Sequence, residues 1–167
     1  MEPLFLSKTD LFRGIPPEDI QSMLGCLKAA TKTYQRGDFI CREGETVTAM
    51  GMVLSGSVSI ENDDIWGNRS ILDQVSAGQV FAENYACLPG EKLMISAVAT
   101  EPTEVLFLST ECMFTVCPHA CGFHNKLIRN MLTIAARKSL NLSRRIMHTS
   151  SKSIRGRLLS YLSFQAT

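Results

Sequence analysis

Aspartate and glutamate are missing from the last quarter of this 167-residue sequence: none occurs between Asn125 and Thr167, where nine Lys/Arg lie. All 16 acids come earlier, against eight Lys/Arg, so the net charge of +1 hides a negative stretch followed by a positive one. This split directs the C-terminal part toward an anion, with nucleic acid the leading candidate; the plain alternative is a solvated helix carrying its Lys/Arg outward. Long apolar runs are absent too. None approaches the roughly 18–20 residues of a membrane helix, which excludes a membrane partner of that kind. The opening Met1–Leu6 lacks a basic leader, so the six cysteines are expected as reduced thiols of a cytoplasmic protein, not as a secreted disulfide framework. No Gly-rich phosphate loop appears. Histidine is scarce: His119, His124 and His148 all fall late in the chain.

What is present reads as strands framed by helices. Pro16-Pro17-Glu18-Asp19 suits a helix start, and Ile20, Met23, Leu24 and Leu27 follow at helical spacing. Short apolar stretches then recur at Thr31–Tyr34, Phe39–Ile40, Ala49–Ser55, Ser57–Glu61, Arg69–Val75, Ile95–Ala99 and Thr103–Leu108, separated by glycine- and acid-rich turns. Many short strands with regular turns predict a mostly β fold with flanking helices, an antiparallel double-stranded β-roll of jelly-roll or cupin-like form. An enzyme on such a roll would want histidine and carboxylate ligands inside the strands; all three histidines come after them, so no catalytic residue is assigned. After a short helical segment, Thr110–Val116, a long helix is predicted from about Asn125 to Met147. Ile128, Leu132, Ala135, Ser139, Leu142 and Ile146 are spaced four, three, four, three, four, the seam of a coiled coil and the candidate dimerisation face. Leu127, Met131 and Ile134 widen its N-terminal end. Ser151 is a candidate cap for a last helix, Lys152–Phe164, with Ile154, Leu158, Leu159 and Leu162 as its apolar face.

The order of these elements, together with Asp10-Leu11-Phe12-Arg13-Gly14-Ile15, Tyr34-Gln35-Arg36-Gly37-Asp38-Phe39-Ile40 with Gly44-Glu45, Val53-Leu54-Ser55-Gly56-Ser57-Val58, Gly78-Gln79-Val80-Phe81-Ala82-Glu83 and Ala99–Leu108, resembles the CRP/FNR superfamily of bacterial regulators and, more widely, the cyclic-nucleotide-binding domain. Ile154–Leu162 looks like the helix that opens the family's winged-helix DNA-binding domain. The resemblance implies an eight-stranded roll, a homodimer through the long helix, and DNA contact through a C-terminal domain that this chain lacks. It also implies three parts: residues 1–116 as a cyclic-nucleotide-binding-like effector domain with N-terminal helices, 117–149 as a turn and dimerisation helix, and 150–167 as the first helix of a truncated winged helix. A regulatory cyclic-nucleotide module of another kind, or a redox or metal sensor, is the alternative.

In the family's cyclic-nucleotide binders, Phe-Gly-Glu is followed after a gap by Arg-Ser/Thr-Ala; the Glu accepts the ribose hydroxyl and the Arg pairs with the cyclic phosphate. Here Phe81-Ala82-Glu83 keeps the Glu and replaces the Gly, and Glu91–Ala97 offers no Arg; Leu93 or Met94 stands in its place. A phosphate without its charge partner is costly to desolvate, which argues against cyclic AMP. The resemblance places an effector pocket at Val80, Phe81, Ala82, Glu83, Asn84, Tyr85, Lys92, Leu93, Met94 and Ile95, with the effector left unidentified.

Cys117-Pro118-His119-Ala120-Cys121-Gly122-Phe123-His124 is the sharpest local cluster. Cys117, Cys121 and His124, with Cys112 as a fourth, are candidate ligands for zinc or iron. Pro118 and Gly122 speak for a tight turn between helices, and free cysteines are commonly buried apolar groups, so structural thiols are favoured over a metal site. Cys87 is a separate candidate for a reactive thiol.

Overall fold

A computed structural model describes residues 3–64, 66–115, 122–150 and 153–165. A short helix α1 (Pro3–Leu6) precedes α2 (Pro17–Cys26). Proline at the first turn of α2 costs no hydrogen bond, Glu18 and Asp19 complement the helix dipole, and Ile20, Met23 and Leu24 are buried on one face. Eight strands come next: β1 (Ala30–Tyr34), β2 (Phe39–Cys41), β3 (Ala49–Ser55), β4 (Ser57–Asp63), β5 (Arg69–Ser76), β6 (Val80–Phe81), β7 (Ser96–Ala99) and β8 (Thr103–Ser109). A one-turn helix α3 (Glu83–Ala86) lies between β6 and β7, and α4 (Thr110–Phe114) follows β8. The long helix α5 runs from His124 to Thr149 and α6 from Ile154 to Gln165.

The strands pair antiparallel into two sheets, ordered β1-β8-β3-β6 and β2-β7-β4-β5. Strand alternation decides which residues look inward. Val53, Phe81 and Val105 of the first sheet meet Cys41, Val58, Val75 and Ala97 of the second in one buried cluster that also takes in Leu93. The intervening residues Met50, Met52, Leu106 and Leu108 are fully buried on the opposite face of the first sheet. Helices cover that face: α4 packs on β3, the Ser109 amide at the end of β8 donates to the Leu27 carbonyl beyond α2 (3.0 Å), and Leu6, Leu11, Phe12, Ile20, Met113 and Leu127 are buried. Asn130 on α5 donates to the carbonyls of Leu11 and Arg13, both at 2.9 Å, holding the start of α5 against the N-terminal segment.

Two glycines are required by their surroundings. At the β3–β4 turn Gly56 has φ +81°, and a Cβ there would lie 2.5 Å from the Pro102 carbonyl oxygen. The Thr103 hydroxyl accepts from the Ser57 amide (3.2 Å) and donates to the Glu101 carbonyl (2.8 Å), fastening this turn to β8. A Cβ on Gly51 would stand 2.3 Å from the Phe81 ring, so glycine makes room for that aromatic inside the roll.

The chain divides into two compact units, Met1–Met131 and Leu132–Thr167, with the division inside α5. The strand, long-helix and last-helix predictions are borne out within a few residues, and the structure adds α1, β6 and α3. The expected cap Ser151 lies outside the described residues; Ser153 performs the observed capping, its hydroxyl accepting from the Gly156 amide at 3.0 Å. The stripe Ile154, Leu158, Leu159 and Leu162 is 76, 57, 53 and 59% exposed, an apolar face left open among the described residues. Within this second unit His148 Nδ1 lies 2.8 Å from the Ser160 hydroxyl, and its ring packs on Tyr161 and Phe164.

Candidate functional site: a cleft in the roll interior

The segment β6–α3 turns a sharp corner. Ala82 caps α3 with φ 57° and ψ 10°, a left-handed conformation that L-residues adopt at a cost of about 1–2 kcal/mol. Phe81 points into the roll core, and Val80, one residue earlier, is buried away from that cluster. Glu83 opens α3 and is only 3% exposed. The Thr110 hydroxyl donates to the Ala86 carbonyl at the end of α3. Burial first, and then the neighbouring Glu83 charge, push the Cys87 thiol up in pKa, away from the thiolate form that a reactive cysteine needs.

Downstream, Leu93 is 2% exposed and sits in the core beside Val53, Phe81 and Val105. Its backbone is pinned on both sides: its amide donates to the Glu45 carbonyl and its carbonyl accepts from the Gly44 amide, each at 2.8 Å. An isobutyl group therefore occupies the interior at one of the two positions, Leu93 and Met94, where the resemblance to the cyclic-nucleotide pattern would put Arg. Lys92 pairs through its backbone with Thr46 and is exposed. Met94 is 68% exposed, its amide donating to the Tyr85 hydroxyl at 3.4 Å. Tyr85 and Ile95 pack on the core cluster, and Asn84 is exposed.

A cleft of about 230 Å³ enters the roll beside this corner. Of the ten residues expected around an effector, Phe81 and Ala82 line it. Its other walls come from Ile40 and Cys41 of β2, the connection at Thr46, Val47 and Thr48, Ala49 and Gly51 of β3, and Phe107 of β8. Sequence reasoning missed these because they are scattered over some 70 residues and none carries a charge; the two-residue alternation of β3 and β8 was the available signal for Gly51 and Phe107. Cys41 is buried, which is the main reason its pKa is pushed up to about 11; a hydrogen bond with Ala97 opposes the shift and the Glu45 charge adds to it.

The seam residues of α5 divide. Ile128 and Ala135 are half-buried, while Ser139 is exposed and Leu132, Leu142 and Ile146 are 67, 58 and 58% exposed. Cys117 and Cys121 lie outside the described residues. Cys112 is half-buried with its amide on the Ser109 hydroxyl, and His124 Nε2 lies 2.7 Å from the Met113 carbonyl. Among the described residues no group of three metal-ligating side chains converges. No described helix is long and apolar enough to cross a membrane.

Comparison with known proteins agrees with this architecture. The cyclic AMP receptor protein of Thermus thermophilus is 32% identical over 101 residues, 60% of this chain and 45% of that protein, so the match spans under half of its length. A cyclic nucleotide-binding domain from Methylobacillus flagellatus superposes with a TM-score of 0.74 at 18% identity, over 92% of this chain and 84% of that one. The sensor domain of the transcriptional regulator DNR from Pseudomonas aeruginosa does so with a TM-score of 0.64 at 21% identity, over 90% and 95%. The resemblance read from the motifs is borne out, and the family model for the cyclic nucleotide-binding domain matches residues 31–119: the chain belongs to that family.

Proposed function

We propose that this chain is the sensor part of a cytoplasmic, homodimeric transcription regulator of the CRP/FNR type that does not respond to cyclic AMP. The observation that carries the reading is Leu93. Family membership supplies the roll, but the two positions at which the phosphate-binding Arg would stand hold Leu93, 2% exposed, and Met94, 68% exposed, neither of them a cation. Bringing a cyclic phosphate there would strip an anion of water without returning a cation, at a cost of several kcal/mol.

The other half of the reading rests on α5 and the basic segment around and beyond it. The exposed seam Leu132–Leu142–Ile146 suits a second copy of the same helix, and the acid-free stretch after His124 suits a phosphate-bearing partner reached through a further DNA-binding domain. Effector in the roll would shift the pairing of the two long helices and so re-aim the DNA-binding domains attached to them. Calorimetry of the chain with cyclic AMP and cyclic GMP tests the first half: no heat of binding is expected at micromolar concentrations, and a micromolar isotherm would overturn it. Sedimentation equilibrium tests the second half, with a dimer expected and a monomer at all concentrations fatal to it.

A further inference from the structure

The cleft in the roll has a chemistry of its own. Its floor is apolar: Cys41, Gly51, Phe81, Ala82 and Phe107. Thr48, at its mouth, is exposed, and so is Thr46. None of its lining residues carries a charge. A cavity of roughly 150 Å³ lined by apolar side chains holds benzene, and pockets for drug-sized ligands begin at about 300 Å³. At about 230 Å³ this cleft falls between the two. It is too small for a nucleotide and larger than a packing defect. An anion inside it would lose water with no charged residue in the lining to meet it, the nearest recorded cation being the Lys32 ammonium 5.7 Å from the centre of the Phe107 ring; an uncharged ring would exchange water for contact with Phe81 and Phe107.

We infer that the cleft binds a small, uncharged, largely apolar molecule of about one ring, with its single polar group directed outward to the hydroxyls of Thr46 and Thr48. The inference rests on the reading of the roll as a sensor for something other than a cyclic nucleotide, and adds the ligand's class. Phe81 and Ala82 form both the wall of the cleft and the left-handed corner into α3, so an occupant touches the segment where the family places its effector.

The test is a titration of the isotopically labelled chain observed by NMR. Benzyl alcohol serves as the neutral probe, benzoate as the same ring with a charge, and cyclic AMP as the competitor. Saturable shifts centred on Gly51, Phe81 and Phe107 are expected with benzyl alcohol, with benzoate at least tenfold weaker. Ala49→Leu, which fills the cleft, and Thr48→Trp, which covers its mouth from an exposed position, should each weaken benzyl alcohol at least tenfold while the remaining spectrum stays dispersed. Absence of saturable shifts, equal affinity for benzoate, or unchanged affinity in the folded Thr48→Trp protein would each overturn the inference. Displacement of benzyl alcohol by micromolar cyclic AMP would overturn the cyclic-AMP-independent reading while leaving the neutral site standing, so the two failures are distinguishable.

Discussion

The two compact units treat their apolar residues in opposite ways. In Met1–Met131 most large apolar side chains are gathered inside the roll or between its first sheet and the helices, with Trp66, Ile71, Leu88 and Met94 among the exposed exceptions. In Leu132–Thr167 no described apolar side chain reaches full burial: Leu132, Leu140, Leu142, Ile146, Met147, Leu158 and Leu162 are all more than half exposed. The first unit holds its own core. The second has the spacing of a core without the second layer. Secondary structure alone does not stabilise a polypeptide in water; most helical stability in proteins comes from packing of an amphipathic face. The difference therefore separates a part that holds its own core from a helical part whose apolar side chains stand uncovered among the described residues.

That contrast breaks most decisively at the α5 seam. In the proposed dimer, Leu142→Asp combined with Ile146→Asp would remove four apolar side chains from a two-helix interface. At about 1.5 kcal/mol each, the loss is about 6 kcal/mol, on the order of ten-thousandfold in dimer dissociation constant by sedimentation. The thermal unfolding of the roll should scarcely change, because neither residue is buried in it. If the roll melts earlier by many degrees, the two units are not independent in the way described.

The converse test acts on the roll. Gly56→Ala forces a positive φ on an L-residue and drives its Cβ toward the Pro102 carbonyl. A destabilisation of about 3 kcal/mol is expected in chemical denaturation, with the self-association of intact protein unaltered. An alanine tolerated at wild-type stability would mean that the β3–β4 turn can rearrange.

A smaller effect comes from Cys41. Its folded-state pKa, about 11, stands above the ordinary value of 9.0, so burial favours the neutral thiol. The associated stability is complete below about pH 9 and is lost as pH rises toward 11, because the unfolded chain releases its proton first. About 2 kcal/mol should disappear across that window. The Cys41→Ala protein should lack this component of the slope in urea midpoints measured from pH 8 to pH 11. An unchanged slope would place the titrating group elsewhere.

The smallest change sharpens the corner beside the cleft. Ala82→Gly relieves the left-handed strain but adds freedom to the unfolded chain, leaving a net gain of about 0.5 kcal/mol. A loss of stability would show that the methyl group of Ala82 contributes packing that outweighs its strain.

Much of this was legible in the residues themselves. The turns Arg36-Gly37-Asp38 and Ser55-Gly56-Ser57, the strand alternation, the four-three spacing of α5 and the departure from Phe-Gly-Glu and from Arg are local patterns, each written in a few consecutive residues. Their order led to the family. The cleft was not legible, because Cys41, Gly51, Phe81 and Phe107 come from four strands and meet only when the two sheets close on one another. Val80 and Met94 illustrate the same limit. Both belong to the expected effector segment, yet the alternation at β6 buries Val80 away from the roll core and the loop before β7 leaves Met94 in solvent.

Residue identity and short-range spacing were enough to set the strand-and-turn framework, the acid-free C-terminal stretch and the absence of Arg from Glu91–Ala97. Three further outcomes needed the folded chain: Leu93 turns inward to fill the roll, an uncharged cleft opens beside Ala82, and the second unit leaves its leucines uncovered. Each depends on which side chains from distant strands and helices come to share a volume, and separation along the chain does not encode that.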